Sequence, residues 1–241
     1  MRTSLRASMV SVALLAMSTA ASAASLQVAP TTVEVPSGSN ATTMNLKNSG
    51  IAPLKAQIRV FRWTYVNGVE KLEQAKDVVA SPPIATIKPN MDYTVRLVRL
   101  SKQPPQIEET YRVMIDEIVD PSQRRAGTIT MAFRYSVPVF FLPPAVPKGD
   151  LIWSLEKRDG KVVVSATNTG GRRIRVADLT ASGPQGKPVT VAKGLAGYVL
   201  ARSSKSWVAP QALQTASTPL LIKAASDSGP INAQALPVSA R

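Results

Sequence analysis

The sequence predicts an all-β protein of two β-sandwich domains joined by a short rigid bend. Three observations carry this expectation. Short runs of alternating apolar and polar residues recur along the chain, and Gly, Pro, Asn and Ser separate them. Helical periodicity is nearly absent. Three prolines in "LPPAVPKGD", residues 142–150, then make a stiff connector, beyond which a second strand-rich series begins.

The N-terminus is set aside first. Arg2 and Arg6 precede a short apolar run, residues 9–17, and Ala21-Ser22-Ala23 offers small residues for cleavage. This pattern is that of a secretory signal peptide, residues 1–23. The apolar run falls short of the ~20 residues of a spanning helix, so stable membrane insertion is not expected. The expected division is a leader, residues 1–23, a first domain, residues 24–143, and a second, residues 144–241.

The elements follow in order. Residues 25–35 form a strand broken at Pro30, and residues 42–50 a second strand ending in a turn. Residues 54–68 set Ala56, Ile58 and Val60 against Gln57, Arg59 and Arg62, with Asn67-Gly68 as a hairpin signal. Residues 81–90 read most simply as a loop entering a strand, since Pro82, Pro83 and Pro89 cannot serve a central ladder. Residues 92–100 place Val95, Leu97 and Arg99 on one side, and residues 110–119 are another strand. With the stretch that follows, about seven strands suggest a two-sheet sandwich.

That stretch, "TITMAFRYSVPVFF" at residues 128–141, is the most informative. One side carries Ile129, Met131, Phe133, Tyr135, Val137 and Val139; the other carries Ala132, Arg134, Ser136, Pro138 and Phe140. It is about twice the usual strand length of 5–6 residues. Its proline argues for an edge position, and an apolar edge invites pairing with another chain. The same periodicity is also met by a face packed into the protein's own core.

Beyond the connector, residues 151–171 read as strand, Asp159-Gly160 turn, strand and turn, and residues 173–182, 194–210 and 218–226 supply further strands. The two halves show no clear repeat. Trp63, Trp153 and Trp207 are expected in core or interdomain packing.

Composition narrows the chemistry. The chain has neither histidine nor cysteine. Ser-His-Asp and Cys-His catalysis, imidazole or thiolate metal sites, and disulfides are therefore excluded. Asp116, Glu117 and Asp120 could act as an acid–base set, but a solvated strand end explains them better. No nucleotide-binding or nucleophile-elbow motif is present. The sequence therefore argues against an enzyme and implies no cofactor and no metal. The net charge of +14 favours anionic partners. Scattered basic residues, with only Arg172, Arg173 and Arg175 clustered, argue against nucleic acid.

The ordered set "SPPIATIKPNMDYTVRL", "EETYRVMIDEI" and "TITMAFRYSVPVFFLPP" resembles the first domain of PapD-like periplasmic pilus chaperones of the chaperone–usher pathway. "WSLEKRDGKVVVSATNTGGRRIRV" resembles the start of the second domain in that family's archaic branch. The resemblance implies two immunoglobulin-like domains and a periplasmic location. It implies pilus subunits and an outer-membrane usher as partners, in fimbrium biogenesis and cell wall organization. It further implies donor-strand complementation, in which a long strand fills the gap of an incomplete subunit. Ile129, Met131, Phe133, Tyr135 and Val137 fall on the lent face.

Many members anchor the subunit's carboxylate with an Arg in the first strand and a Lys late in the lent strand. Here those places hold no basic residue, and the late position is Pro138. Arg96 and Arg99 are the substitutes expected, because a guanidinium matches a carboxylate bidentately. The rival reading is a secreted adhesive or structural β-sandwich protein, fimbrial-subunit-like.

Overall fold

In a computed structural model of the chain, residues 26–119, 131–213 and 219–237 are described. The signal-peptide residues, Asp120 and Ile129 lie outside them. Pro30 divides the first extended segment between two sheets. Strand β1 (Leu26–Ala29) runs antiparallel to β3 (Ala41–Asn48), whereas β2 (Val33–Val35) runs parallel to the last strand of the first set. Proline has no N–H to donate, so one ladder cannot continue through it.

The remaining strands of this set are β4 (Leu54–Val66), β5 (Val69–Gln74), β6 (Val78–Ser81), β7 (Ile84–Ile87), β8 (Asp92–Arg99), β9 (Glu109–Ile118) and β10 (Arg134–Phe141). They form two sheets, β1-β3-β8-β6 and β2-β10-β9-β4-β5, with β7 also paired to β4. Inward residues such as Leu46, Ile58, Val60, Leu97, Val113 and Val139 build one core between them.

Two expectations are corrected here. Residues 81–90 are not simply a loop, because Ile84–Ile87 pairs with Leu54–Gln57 while Pro82 and Pro83 stay at the strand ends. The long strand begins at Arg134 rather than earlier among the described residues. Its partner β9 runs to Ile118, and the last bond of the ladder among the described residues is Glu117 N–H to Phe133 O at 2.9 Å.

The second set comprises β11 (Leu151–Arg158), β12 (Lys161–Asn168), β13 (Ile174–Ser182), β14 (Val189–Val199), β15 (Ser204–Val208), β16 (Leu220–Ser226) and β17 (Gly229–Pro237). They run in the order β14-β13-β16-β17-β11-β12-β15. The sheet curls until Trp207 Nε1 on β15 donates to Ala196 O on β14 at 3.0 Å. Trp153 and Trp207 stack at 5.8 Å beside a separate core containing Val164, Leu179 and Ile222. A 3-10 turn, Gln211–Leu213, is the sole helical element described.

The halves share a corner that periodicity did not reveal. Asn48 bonds Ala52 O and Ile87 O and receives Gly50 N–H. Asn168 likewise bonds Arg172 O and Val199 O and receives Gly170 N–H. Each buried Asn thereby satisfies carbonyls at a strand end. The connector is locked onto the second corner. A Cβ on Gly149 would fall 2.0 Å from Gly170 N, so only glycine permits this approach.

Candidate functional site

The site starts at the edge of β10. One side of β10 pairs with β9 from Arg134 to Phe141. On the other side only Val139–Phe141 meets β2, which leaves the edge of residues 134–138 open among the described residues. Pro138, lacking an N–H, lies within that open length. Asp116 fastens the strand's start, pairing with Arg134 and, at 2.6 Å, with Arg59. Burial works against the Asp116 carboxylate, but the two arginines more than offset it and hold its carboxyl below the ordinary range.

The alternating face expected to be lent is divided. Val137 lies instead in the first sandwich's own core, 4% exposed, together with Val139 and Phe141. Tyr135 leans on that core, its hydroxyl donating to Leu26 O. Phe133 is half-buried just before the strand, and Met131 is 65% exposed. The division has a geometric cause: inward positions are covered only as far as the sandwich extends beneath them. Ala132, on the opposite side, is exposed.

Arg96 and Arg99 are not brought together. Both lie on β8, in the sheet opposite β10. Arg96 is exposed, and no ion pair is found for it among the described residues. Arg99 points inward and is buried in an ion pair. Its Nε and Nη2 grip Glu109 at 2.7 and 2.9 Å, and Nη1 donates to the carbonyls of Ser101 and Gln103. Four of its five N–H donors are thereby engaged, and its charge is already paired with Glu109.

Basic groups that the alternation did not single out stand where the two domains meet. Trp63, Phe140, Tyr198 and Leu200 form an apolar cluster across that junction, and Trp63 meets Tyr198 edge-on at 5.9 Å. Arg112, opposite Pro138 in the ladder, lies 3.8 Å over the Trp63 ring. Its Nε is buried with no hydrogen bond among the described residues, and Glu70 stands 3.5 Å away. Lys205 on β15 lies 5.0 Å from the Tyr65 ring and 5.5 Å from that of Trp207. Burial lowers its pKa; Glu70 partly restores it and Arg112 opposes it. Two partly buried cations thus share one carboxylate, an arrangement short of negative charge. Detecting it from sequence would require the Arg112–Pro138 register and the domain docking, neither of which is local.

A second group crosses the junction. Arg173 Nη1 meets Glu108 at 2.6 Å, Nη2 meets Glu34, and the guanidinium lies 3.5 Å over Phe140. The basic trio seen in the sequence is therefore no open patch, since Arg173 is buried. Among the described residues no His/Cys/Asp/Glu group could hold a metal, and no helix is long and apolar enough to cross a membrane.

Residues 25–147 match the family described as pili and flagellar-assembly chaperone, PapD N-terminal domain. No curated protein matches the sequence. Among solved structures, the chain is similar to one in the CsuC–CsuE chaperone–tip adhesion subunit pre-assembly complex from archaic chaperone–usher Csu pili of Acinetobacter baumannii. There the TM-score is 0.72 at 23% identity, covering 90% of this chain and 100% of that one. The YadV chaperone gives 0.62 at 18% identity, covering 88% and 100%. The Salmonella enterica complex of SafA pilin with the SafB chaperone gives 0.59 at 20% identity, covering 87% and 96%. These likenesses show the fold: two immunoglobulin-like sandwiches joined by a short bend.

Proposed function

The chain belongs to the pili and flagellar-assembly chaperone family, and from that premise we propose that it is a periplasmic chaperone that stabilises pilus subunits by donor-strand complementation and delivers them to an outer-membrane usher. The observation that carries this reading is the open edge of β10, continuous with exposed Met131. A subunit lacking its last strand exposes ladder groups and an apolar groove. A lent strand supplies partners for both. The lent face is assigned to Ile129, Met131 and Phe133, with Tyr135 at its margin and Val137 rooting the strand in the first core.

Burial of each large side chain contributes roughly 1.5–3 kcal/mol before ordering costs, so three are enough to hold a subunit yet leave it exchangeable. The subunit's carboxylate is assigned to Arg112 and Lys205 in place of Arg96 and Arg99, because those two cations have only Glu70 between them and Arg112 lies opposite Pro138 of β10. Cleavage of a leader at residues 1–23, and domains at 24–143 and 144–241, complete the proposal. The chaperone–subunit complexes among similar structures support the partner class. The family points to a non-catalytic role.

The test is Met131→Asp with Phe133→Asp. Two carboxylates forced into an apolar groove abolish capture, whereas the free protein stays folded, because Met131 is exposed and the half-buried Phe133 lies outside the first core. Val137→Asp, in contrast, unfolds the first domain. Co-purification of a one-to-one complex from periplasm, alongside thermal melts, reads both. A folded double variant that still captures its subunit refutes strand lending through these residues.

A further inference from the structure

The tip of the β4–β5 hairpin is unusual for a turn between strands. Asn67 and Gly68 take left-handed φ values of 52° and 76°, as a two-residue hairpin turn requires. Most such tips face water, but Gly68 is buried against the second domain. Ser206 N–H donates to Gly68 O at 3.1 Å, and Arg158 Nη1 donates to Asn67 O at 3.3 Å. A Cβ on Gly68 would fall 2.0 Å from Ser206 Oγ and 2.8 Å from Ser206 Cβ. The contact caps β15, the edge strand of its sheet, whose other side pairs with β12.

The neighbours of this contact are the groups of the cleft. Lys205 immediately precedes Ser206, and its ammonium lies over Tyr65 on one hairpin arm. Glu70, facing Arg112, is on the other arm. We propose that the β4–β5 hairpin is an interdomain strut and that Gly68 is its positioning residue, holding β15 so that Lys205 stands beside Arg112. The width of the cleft is then set by the fit of a glycine carbonyl against one edge amide. The value of that width to a captured subunit rests on the function proposed above; its effect on interdomain distance does not.

The second domain supplies an internal control. Asp159-Gly160 makes the same turn, with φ values of 49° and 75°, yet among the described residues nothing lies within 4 Å of a Cβ at Gly160. Gly160→Ala therefore carries the backbone strain alone, and Gly68→Ala carries strain and collision. Because the chain has no cysteine, spin labels placed at Thr94→Cys and Lys223→Cys, both exposed, report the interdomain distance by electron–electron resonance.

The parent and Gly160→Ala are expected to give one narrow distribution. Gly68→Ala shifts it to longer distance and broadens it, and adding Ser206→Gly, which removes the colliding atoms, returns it to the parental position. Ser206→Leu attacks the same contact from the other side with Gly68 intact, and it too broadens the distribution. A parental distribution for both Gly68→Ala and Ser206→Leu overturns the strut, as does a Gly68→Ala, Ser206→Gly double variant as broad as Gly68→Ala alone. Subunit capture is no part of the readout, so failure of the partner reading leaves this result standing.

Discussion

Arg99 illustrates how far a single residue can be read. Alternation put it on the inward side of β8 with Val95 and Leu97, and the side chain is buried there. A buried guanidinium persists only where charge and donors are matched. Glu109 supplies the charge, and Tyr111, Asp77 and Arg62 extend the network. Burial opposes ionisation of Glu109, but Arg99 more than offsets this and holds the carboxyl below its usual range. Asp77 behaves alike: burial is outweighed by the Tyr111 hydroxyl and Arg62. With folded pKa values depressed, this stabilisation is present above the ordinary carboxylate range, about pH 4, and is lost as pH falls through the folded values. Glu109→Gln is expected to cost about 3 kcal/mol at pH 7, the scale for leaving a buried charge unpaired. Urea unfolding at pH 7 and pH 3 checks this, with the gap between variant and parent shrinking at the lower pH. An equal gap at both would show that the carboxylate charge is not the cause.

At the scale of an element, β10 was legible as a strand and as an edge, from alternation and Pro138. Its start and its two unlike halves were not legible. They depend on where β9 ends and how far the sandwich extends underneath, and both are pairings across sequence distance. The open edge makes a measurable demand. In the free protein, those amides of residues 134–138 that point away from β9 are expected to exchange hydrogen at near-unprotected rates. Amides of residues 111–115, in a strand paired on both sides by β10 and β4, stay protected. Subunit capture slows the first group. Equal protection of both groups in the free protein would contradict an open edge. In strand β17 the alternation of Ile231, Ala233 and Ala235 is written locally, and those residues turn toward the second core.

Over the whole molecule, the junction carries more than the connector. Glu108 has a fully buried side chain and Arg173 is 8% exposed. Burial pushes the Glu108 carboxyl up, and Arg173 draws it partly back. Removing Arg173 leaves Glu108 buried without its cation and uncovers the Phe140 ring. Breaking a buried pair costs about 3–5 kcal/mol, and here the loss falls on domain coupling. Arg173→Met is therefore expected to split one calorimetric transition into two, while Arg202→Met, at an exposed turn, leaves it single. A single unshifted transition in Arg173→Met would remove the clasp from the account of interdomain rigidity.

The all-β character, the turns at Asn67-Gly68 and Asp159-Gly160, the stiff bend and the apolar edge strand are all legible in the order of residues alone. Each is written in neighbouring residues through period-two alternation, backbone-permissive turn residues and proline. Composition also excludes imidazole and thiolate chemistry outright. Long-range packing, in contrast, places Val137 in the core, pairs Arg99 with Glu109, sets Arg173 across two domains, and leaves Arg112 and Lys205 sharing one carboxylate. Those outcomes depend on register and docking, which join residues tens of positions apart, and whether a charge is free or satisfied is a property of what it meets there.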